Sequence, residues 1–295
     1  MTAATGRGVT LAVAALIINA AVWGMSWWPF RELQSLGLHP LWSTALIYFF
    51  SLACIVVWRP AAWRNFAQHP QLWLLALAAG LTNVGFNWAV TVGDVVRVVL
   101  LFYLMPAWSV LLAWAVLGEK PTRASLLRLL LAMAGVLIVL KAPDSPWPVP
   151  QGIADWLALM GGVSFAATNV LLRKLEYTPS AARMLAMFGG GGVLASTAAL
   201  LGLAGGIVSA PVWALTWLPV ALGLALAFLV SNMALQYGAA RLAASTTALV
   251  MLTEILFASL SAAALGAAEF TPRTLLGGGL IVLAALLAAM APTKK

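Results

Sequence analysis

The sequence predicts an all-α integral membrane protein with ten transmembrane helices, arranged as two inverted five-helix repeats. Three observations lead to this fold class: the composition, the number of long apolar segments, and a stretch that recurs about 148–150 residues further along the chain. Hydrophobic residues make up 63% of the 295 residues and charged residues 8%, against roughly a quarter charged in soluble domains. Such a chain cannot cover a water-facing surface, so lipid must surround most of it.

Ten apolar segments have about the length that a helix needs to cross a bilayer, roughly 17–25 residues. The predicted helices cover residues 9–30, 41–58, 72–92, 95–117, 126–140, 153–172, 183–203, 215–237, 242–265 and 274–290, numbered below as spans 1 to 10. Turn-forming residues lie in the gaps, as Gly37 and Pro40 do before span 2 and Pro60 does after it. The gap at 141–152 contains four prolines and is the expected joint between two halves.

A stretch near the end of span 4 recurs near the end of span 9, as residues 101–123 and 249–273. Leu117-Gly118 in the first copy matches Leu265-Gly266 in the second, and a further apolar span follows each copy. Self-similarity at such a spacing indicates two related halves. The predicted domains are a first five-helix repeat over 9–141, a proline-rich periplasmic connection over 142–151 and a second, inverted repeat over 152–291.

The odd number of spans in each half has a mechanical consequence. After five crossings the second half begins on the opposite side of the membrane, so two similar halves are inverted relative to one another. Inverted repeats around a midplane site are the architecture of many secondary transporters. A duplication without a transport role is the structural alternative.

The basic residues predict the orientation in the membrane. If the N-terminus is cytoplasmic, twelve of the sixteen Lys and Arg residues lie in cytoplasmic gaps or ends, and four lie outside. The four outer residues are Arg31, Arg97, Lys141 and Arg273. The positive-inside rule then places both termini in the cytoplasm, and we expect a multi-pass protein of the bacterial inner membrane. The net charge of +8 is thus an orientation signal, and no nucleic-acid partner is expected.

Chemistry-bearing residues are too scattered to suggest catalysis. His39 and His69 lie in gaps on opposite sides of the membrane and cannot form one site. There is no Cys/His metal spacing and no Gly-rich phosphate loop, so we expect no metal, no cofactor and no enzyme; an integral membrane enzyme is the rival class. The single cysteine, Cys54, lies in an apolar run and is predicted to be a small buried packing residue.

Glu254 is the only carboxylate in the middle of a predicted span. A charge at that depth costs at least ~2.5–3.5 kcal/mol on insertion scales, so the side chain should face a cavity or a polar partner, or be protonated. Glu254 could bind a substrate amine or carry a proton. The alternative is a protonated carboxyl group that only joins two helices.

Carboxamide side chains mark other interior faces. Asn83 and Asn87 are four residues apart and share one face of span 3, and Asn232 and Gln236 do the same in span 8. Asn169 in span 6 is a further candidate. Because spans 3 and 8 correspond in the two halves, we interpret these residues as substrate ligands, with helix–helix packing as the alternative.

Aromatic and sulfur side chains complete the candidate binding site. Pro106 lies inside span 4 and frees a backbone carbonyl, which can line a cavity. The candidate wall around it and in spans 1 and 6 consists of Trp23, Trp27, Tyr103, Met105, Trp108 and Phe165. Such a wall would accept large apolar groups without tight shape recognition. Ordinary packing and lipid contact are the alternative for each.

Several short motifs resemble those of a known family. One lies in the first span, Trp23-Gly24-Met25-Ser26-Trp27, and a similar motif occurs in span 6 as Gly162-Val163-Ser164-Phe165. Two others lie in span 4, Leu104-Met105-Pro106 and Leu117-Gly118-Glu119. Over residues 9–291 the two halves resemble the EamA-type repeats of the drug/metabolite transporter superfamily. Within it the chain is most similar to the bacterial aromatic amino acid exporters. It departs from the family pattern at Ile255, where proline is common, and at residues 266–269.

The resemblance implies a secondary transporter that exports aromatic and other apolar amino acids by alternating access around a midplane cavity. We expect spans 1, 3, 4, 6, 8 and 9 to build that cavity. Glu254, Tyr103 and the carboxamides would meet the amino and carboxylate groups, and the remaining aromatic residues would hold the side chain. Export of other small metabolites or of drug-like amines is the alternative. The expected partners are such a solute and the lipid bilayer, and a monomer is expected because the two halves are self-contained.

Overall fold

The computed structural model describes residues 2–93, 95–141, 150–212, 215–266 and 271–290. Across these ranges the chain forms fourteen α-helices, one 3₁₀ turn and no strand. The first half contains α1 (Thr2–Met25), α2 (Trp27–Ser35), α3 (Pro40–Trp58), α4 (Ala61–Gln68), α5 (Leu72–Val92), α6 (Val95–Phe102), α7 (Met105–Leu117) and α8 (Arg123–Leu140). The second half contains α9 (Ile153–Lys174), α10 (Ser180–Ala204), the 3₁₀ turn (Leu215–Trp217), α11 (Leu218–Ala239), α12 (Ala244–Met251), α13 (Glu254–Ala264) and α14 (Pro272–Ala289).

Ten helical segments in the described chain are long and apolar enough to cross a membrane. They are Gly8–Ser35, Pro40–Trp58, Leu72–Val90, Arg97–Leu117, Arg123–Leu140, Ile153–Lys174, Ser180–Ala204, Leu215–Ala239, Ala244–Ala264 and Pro272–Ala289. Each overlaps one predicted span, so the predicted ten-helix, all-α membrane fold is confirmed. The predicted connection over 142–151 lies outside the described residues from 142 to 149, and residues 267–270 of the second copy of the repeated stretch also lie outside them.

Three spans consist of two helices each. Span 1 breaks at Ser26, span 4 at residues 103–104 and span 9 at residues 252–253. The breaks in spans 4 and 9 lie at corresponding positions of the two halves. Broken helices at matching positions commonly mark the substrate site of a carrier.

The two corresponding breaks have different local causes. In span 4, Pro106 lies in the first turn of α7, where its missing N–H is not needed. In span 9 there is no proline, but the Thr253 hydroxyl donates to the Val250 carbonyl oxygen at 2.8 Å and so competes with the regular helical hydrogen bonds. The departure at Ile255 therefore does not remove the break.

A glycine in each half allows a span of that half to approach the break in the other. A Cβ atom on Gly24 in span 1 would lie 2.5 Å from the backbone oxygen of Glu254, and one on Gly162 in span 6 would lie 2.6 Å from the backbone oxygen of Phe102. Both distances are too short for any side chain. The Phe102 carbonyl, which Pro106 leaves without its helical donor, therefore packs against Gly162.

The helices of the two halves pack against each other reciprocally. The span 3 helix α5 packs on α9 and α10 of spans 6 and 7, and the span 8 helix α11 packs on α1 and α3 of spans 1 and 2. Spans 5 and 10 pack together as α8 and α14. This exchange of equivalent contacts is the pattern expected of two related halves around a common centre.

The repeated Leu-Gly pair ends its helix in the same way in both halves. Gly118 has φ +70° and Gly266 has φ +68°, a left-handed conformation that glycine adopts without strain. The following helices also begin alike, because the Thr122 hydroxyl accepts from the backbone N–H of Ser125 and the Thr271 hydroxyl from that of Thr274. The sequence match between these two turns thus reflects a shared geometry.

Two features differ from the sequence-based expectations. The gap between spans 2 and 3 contains the short helix α4, whose Ala62 and Phe66 are buried while Trp63 is exposed. Cys54 is exposed, so the prediction of a buried packing residue is wrong. A thiol is small and apolar enough to face lipid as easily as protein, and the apolar run around it does not distinguish the two surfaces.

Candidate functional site

A cavity of about 80 Å³ lies between the two halves; we call it the central cavity. Its wall consists of Asn19, Trp23, Tyr48, Ala79, Thr82, Asn83, Phe86, Asn87, Phe102, Phe165, Thr168, Met187, Phe188, Phe228, Asn232, Leu235, Met251 and Glu254. All six spans expected to build the cavity contribute to this wall. Spans 2 and 7 also contribute, through Tyr48 and Phe188, whereas spans 5 and 10 contribute no lining residue.

Seven aromatic residues form most of the apolar wall, in two groups. In the first group Trp23 stacks on Phe228 with ring centroids 4.6 Å apart, and Tyr48 packs edge-on against Phe188 at 5.2 Å. In the second, Phe102 lies 4.9 Å from Phe86 and 6.0 Å from Phe165. The two groups come from corresponding spans of the two halves. Spans 1 and 8 supply Trp23 and Phe228 in the first group, and their counterparts, spans 6 and 3, supply Phe165 and Phe86 in the second.

Glu254 is the only charged side chain in the described wall of the central cavity. It is the first residue of α13, and its side chain is half-buried with one surface on the cavity. The buried Tyr103 approaches the Glu254 carboxyl group from the facing break in span 4 and interacts with it electrostatically. Tyr103 therefore positions Glu254 although it does not line the cavity itself.

The carboxamide pairs join neighbouring helices and also reach the cavity. Asn83 accepts from the Tyr48 hydroxyl at 2.9 Å, and Asn87 donates to the Thr44 hydroxyl at 2.6 Å. Of the two span 8 carboxamides, only Asn232 lines the cavity. Gln236 is buried one turn away and donates to the Asn232 oxygen at 2.7 Å.

Half of the twelve predicted site residues lie on the cavity wall: Trp23, Asn83, Asn87, Phe165, Asn232 and Glu254. Tyr103 and Gln236 contact wall residues from behind. Met105 is fully buried, and Trp27 donates from its indole nitrogen to the Ser261 hydroxyl at 2.9 Å, away from the cavity.

The other two predicted residues, Asn169 and Trp108, carry buried polar atoms without a hydrogen-bond partner in the described structure. Neither carboxamide atom of Asn169 is paired, and the indole nitrogen of Trp108 is also unpaired. Both residues lie outside the cavity wall.

Sequence reasoning omitted several lining residues. Asn19 marks an interior face of span 1 by the same carboxamide signal, although it was not among the twelve predicted ligands; it donates to the backbone and side-chain oxygens of Ser231 at 2.9 and 2.5 Å. No sequence signal distinguishes Tyr48, Phe188 and Phe228, because an aromatic residue in an apolar run is equally compatible with lipid, core and cavity.

Charged groups connect span ends at both ends of the helix bundle. At the end predicted to be outside, the Arg97 Nε atom lies 2.9 Å from both carboxylate oxygens of Asp155, which links the starts of spans 4 and 6. At the opposite end Arg173 forms a 2.8 Å ion pair with Glu176 and donates to the Ala240 carbonyl oxygen at the end of span 8.

Glu119 connects the two halves at this second end. It follows span 4, and its carboxyl group lies close to the backbone of Ala244, the first residue of α12 in span 9. Burial raises the pKa of the Glu119 carboxyl group, while the Arg173 guanidinium and the backbone of Ala244 act in the opposite direction.

Comparisons with known proteins relate the first half of the chain to a known family. The model of the EamA-like transporter family matches residues 10–141, the whole of the first predicted repeat. The EamA-type resemblance read from the motifs is thereby confirmed over the first half of the chain, and the ten apolar spans agree with a multi-pass membrane protein. The similarity to aromatic amino acid exporters stays a prediction.

Curated relatives agree with this EamA-type assignment. Protein RarD of Salmonella typhimurium is 30% identical over 191 residues, which are 60% of this chain and 63% of the relative. Protein RarD of Streptomyces exfoliatus is 27% identical over 165 residues, 52% and 49% of the two chains. An uncharacterized transporter of Pseudomonas aeruginosa is 26% identical over 184 residues, 59% and 56% of the two chains. The chain thus spans about half to just under two thirds of these relatives.

A solved crystal structure supports the fold over almost the whole chain. It superposes with a TM-score of 0.76, covers 96% of this chain and 97% of its own, and is 17% identical in sequence. At that identity the likeness concerns the fold alone. It extends beyond the matched family segment into the second half.

Proposed function

We propose that this EamA-type protein is a secondary carrier for small solutes that combine an amino group with an apolar, preferably aromatic, body. The observation that carries the proposal is the central cavity, in which one carboxylate faces seven aromatic rings. Apolar and aromatic amino acids are the first candidate substrates, exported across the bacterial inner membrane. Drug-like amines are the second, because they present the same ammonium group and ring.

Alternating access would move the solute by rocking one half against the other. The central cavity lies where the halves meet, and each break in spans 4 and 9 faces a glycine of the other half. The ties at the two ends, Arg97–Asp155 on one side and Glu119–Ala244 on the other, would open and close in turn. In this scheme Glu254 would meet the amino group, or carry the proton that couples transport to a gradient.

Counterflow into liposomes containing the purified protein tests the proposal. Labelled phenylalanine, tryptophan, methionine and threonine would be offered with and without a pH gradient, and phenethylamine would represent the amines. We expect saturable exchange for the aromatic solutes and weak exchange for threonine. Folded protein that exchanges none of these solutes would refute the carrier proposal for this substrate class.

A further inference from the structure

We propose that the central cavity recognises an ammonium group and has no matching site for a carboxylate, so that aromatic amines are better substrates than the corresponding amino acids. This inference rests on the proposed carrier function and narrows its substrate class. Charge is the first ground. Glu254 is negative when ionised, and no lysine, arginine or histidine is present among the residues that line the cavity. A carboxylate that enters the cavity therefore loses its hydration without gaining an opposite charge.

The second ground is the state of the polar groups in the wall. The amide nitrogens of Asn19, Asn83 and Asn87 each donate at least one hydrogen bond within the protein, to Ser231, to the Ala79 carbonyl and to Thr44, respectively. The hydroxyl groups follow the same rule: Tyr48 donates to Asn83, and Thr82 and Thr168 donate to the carbonyls four residues before them.

The Glu254 carboxylate, in contrast, is an acceptor on the cavity wall. It offers oxygen atoms to a ligand that donates hydrogen bonds. An ammonium group has three donors and no acceptor, which matches this carboxylate. A carboxylate ligand only accepts hydrogen bonds and is repelled by Glu254 when both are ionised.

The third ground concerns the helix ends, which are the other means of holding an anion. The N–H groups of Ile255 and Leu256 at the start of α13 donate to the carbonyls of Leu252 and Thr253. Those of Ala107 and Trp108 at the start of α7 donate to the carbonyl of Leu104. Glu254 itself lies in the first turn of α13, so the positive end of that helix favours the carboxylate of the protein.

The aromatic rings provide a second attraction for a cation, in addition to the negative charge of Glu254. Trp23, Phe228 and Tyr48 form one continuous group, with Tyr48 edge-on to Phe228 at 6.2 Å. The faces of aromatic rings attract ammonium groups, and the attraction increases when water is excluded. The same rings accept the apolar body of the solute, so one wall serves both parts of an aromatic amine.

Four compounds with the same phenyl group separate the possibilities: phenethylamine, phenylalanine amide, phenylalanine and 3-phenylpropanoate. Each would compete against labelled phenethylamine for binding to the purified protein, and each would then be tested in counterflow, with protein-free liposomes as the measure of passive leak. We expect phenethylamine and phenylalanine amide to compete at concentrations at least tenfold lower than phenylalanine, and 3-phenylpropanoate not to compete. In Glu254→Gln the advantage of the amine should shrink to less than threefold.

The outcomes distinguish this inference from the carrier proposal. Phenylalanine that competes as well as its amide, in protein that shows saturable exchange, would overturn the ammonium inference and leave the carrier proposal intact. The expected order of binding without any exchange would uphold the ammonium site and refute the carrier. Because the wild-type comparison needs no variant, poor folding of Glu254→Gln would not prevent the test.

Discussion

At the scale of single residues, Glu254 has the most specific surroundings in the molecule. It combines a cavity surface, an electrostatic interaction with the buried Tyr103 and the first turn of a helix. We expect Glu254→Gln to reduce transport by roughly tenfold to a hundredfold, the effect of losing about 1.5–3 kcal/mol of a charged hydrogen bond. Proteoliposome counterflow measures the loss. The matched control is Glu32→Gln, an exposed carboxylate outside the cavity, which should transport like the wild type.

A comparison across pH would separate two roles of Glu254. If the carboxyl group exchanges protons during transport, the response to a pH gradient should disappear in Glu254→Gln. Wild-type rates in the variant at every pH would exclude Glu254 from the mechanism.

Substitution of Asn87 tests whether the carboxamides bind the substrate or only pack helices together. Its amide nitrogen is held by Thr44, and the residue is only half-buried on the cavity wall. Asn87→Ala should raise the apparent Michaelis constant roughly three- to tenfold, since a neutral hydrogen bond contributes about 0.5–1.5 kcal/mol. Asn65→Ala in α4 is the control for a carboxamide away from the cavity. An unchanged Michaelis constant together with lower thermal stability would indicate a packing role.

At the scale of helices, two adjacent glycines in α10 differ sharply in their surroundings. A Cβ atom on Gly190 would lie 2.1 Å from the Ala76 carbonyl oxygen of α5, whereas one on Gly189 would meet its nearest neighbour, a Leu52 methyl group, at 4.0 Å. Gly190→Ala should destabilise the protein by about 1–3 kcal/mol, because two backbones must separate. Gly189→Ala should leave it unchanged or slightly more stable. Thermal unfolding in detergent measures both, and equal melting temperatures would contradict this packing.

The start of α3 depends on a titratable residue. The ring nitrogen of His39 accepts from the backbone N–H of Leu41 at 3.3 Å, and burial lowers the pKa of His39. The folded state therefore favours the neutral ring, and its stabilising effect is complete above the ordinary histidine pKa, about 6.5, and is lost as the pH falls below it.

A change of pH should accordingly affect the cap of α3. We expect the melting temperature to fall between pH 7.5 and 5.5, and to fall less in His39→Asn, where the cap does not titrate. The cap itself contributes about 1 kcal/mol. Identical pH profiles of the two proteins would show that His39 does not control the stability in this range.

At the scale of the whole molecule, the inverted arrangement makes a prediction about sidedness. Gln34 lies at the end of the first span of the first half, and Tyr177 follows the first span of the second; both are exposed. In a Cys54→Ala background, Gln34→Cys should react with a membrane-impermeant thiol reagent only from outside the cell, and Tyr177→Cys only after the inner face is made accessible. Gln68→Cys, at the end of α4, is the matched glutamine control for the inner face. Labelling of positions 34 and 177 from the same side would rule out inversion.

Hydropathy alone located all ten spans, because lipid imposes a length and an apolar composition on every helix that crosses it. The breaks were only partly foreseeable. Pro106 indicates the break in span 4, but the matching break in span 9 depends on Thr253 and on packing against Gly24. Short-range sequence signals do not report such contacts between distant segments.

The candidate site also divides into residues that the sequence predicts and residues that only the structure reveals. Polar residues in an apolar span stand out because lipid does not accept them, and so Glu254, Asn83, Asn87 and Asn232 could be named from the sequence. Tyr48, Phe188 and Phe228 could not, and neither could the place of Gln236 behind Asn232. An apolar side chain in an apolar run satisfies lipid, core and cavity equally well.

The sequence by itself determined the class of the molecule, the number and approximate positions of its membrane spans and the polar residues that lipid would reject, because each follows from the free energy of placing a side chain in hydrocarbon. Only the tertiary structure decided which helix faces enclose the central cavity and that spans 2 and 7 join its wall. These properties depend on contacts between residues more than a hundred positions apart, such as Asn19 and Ser231, and no local pattern encodes them.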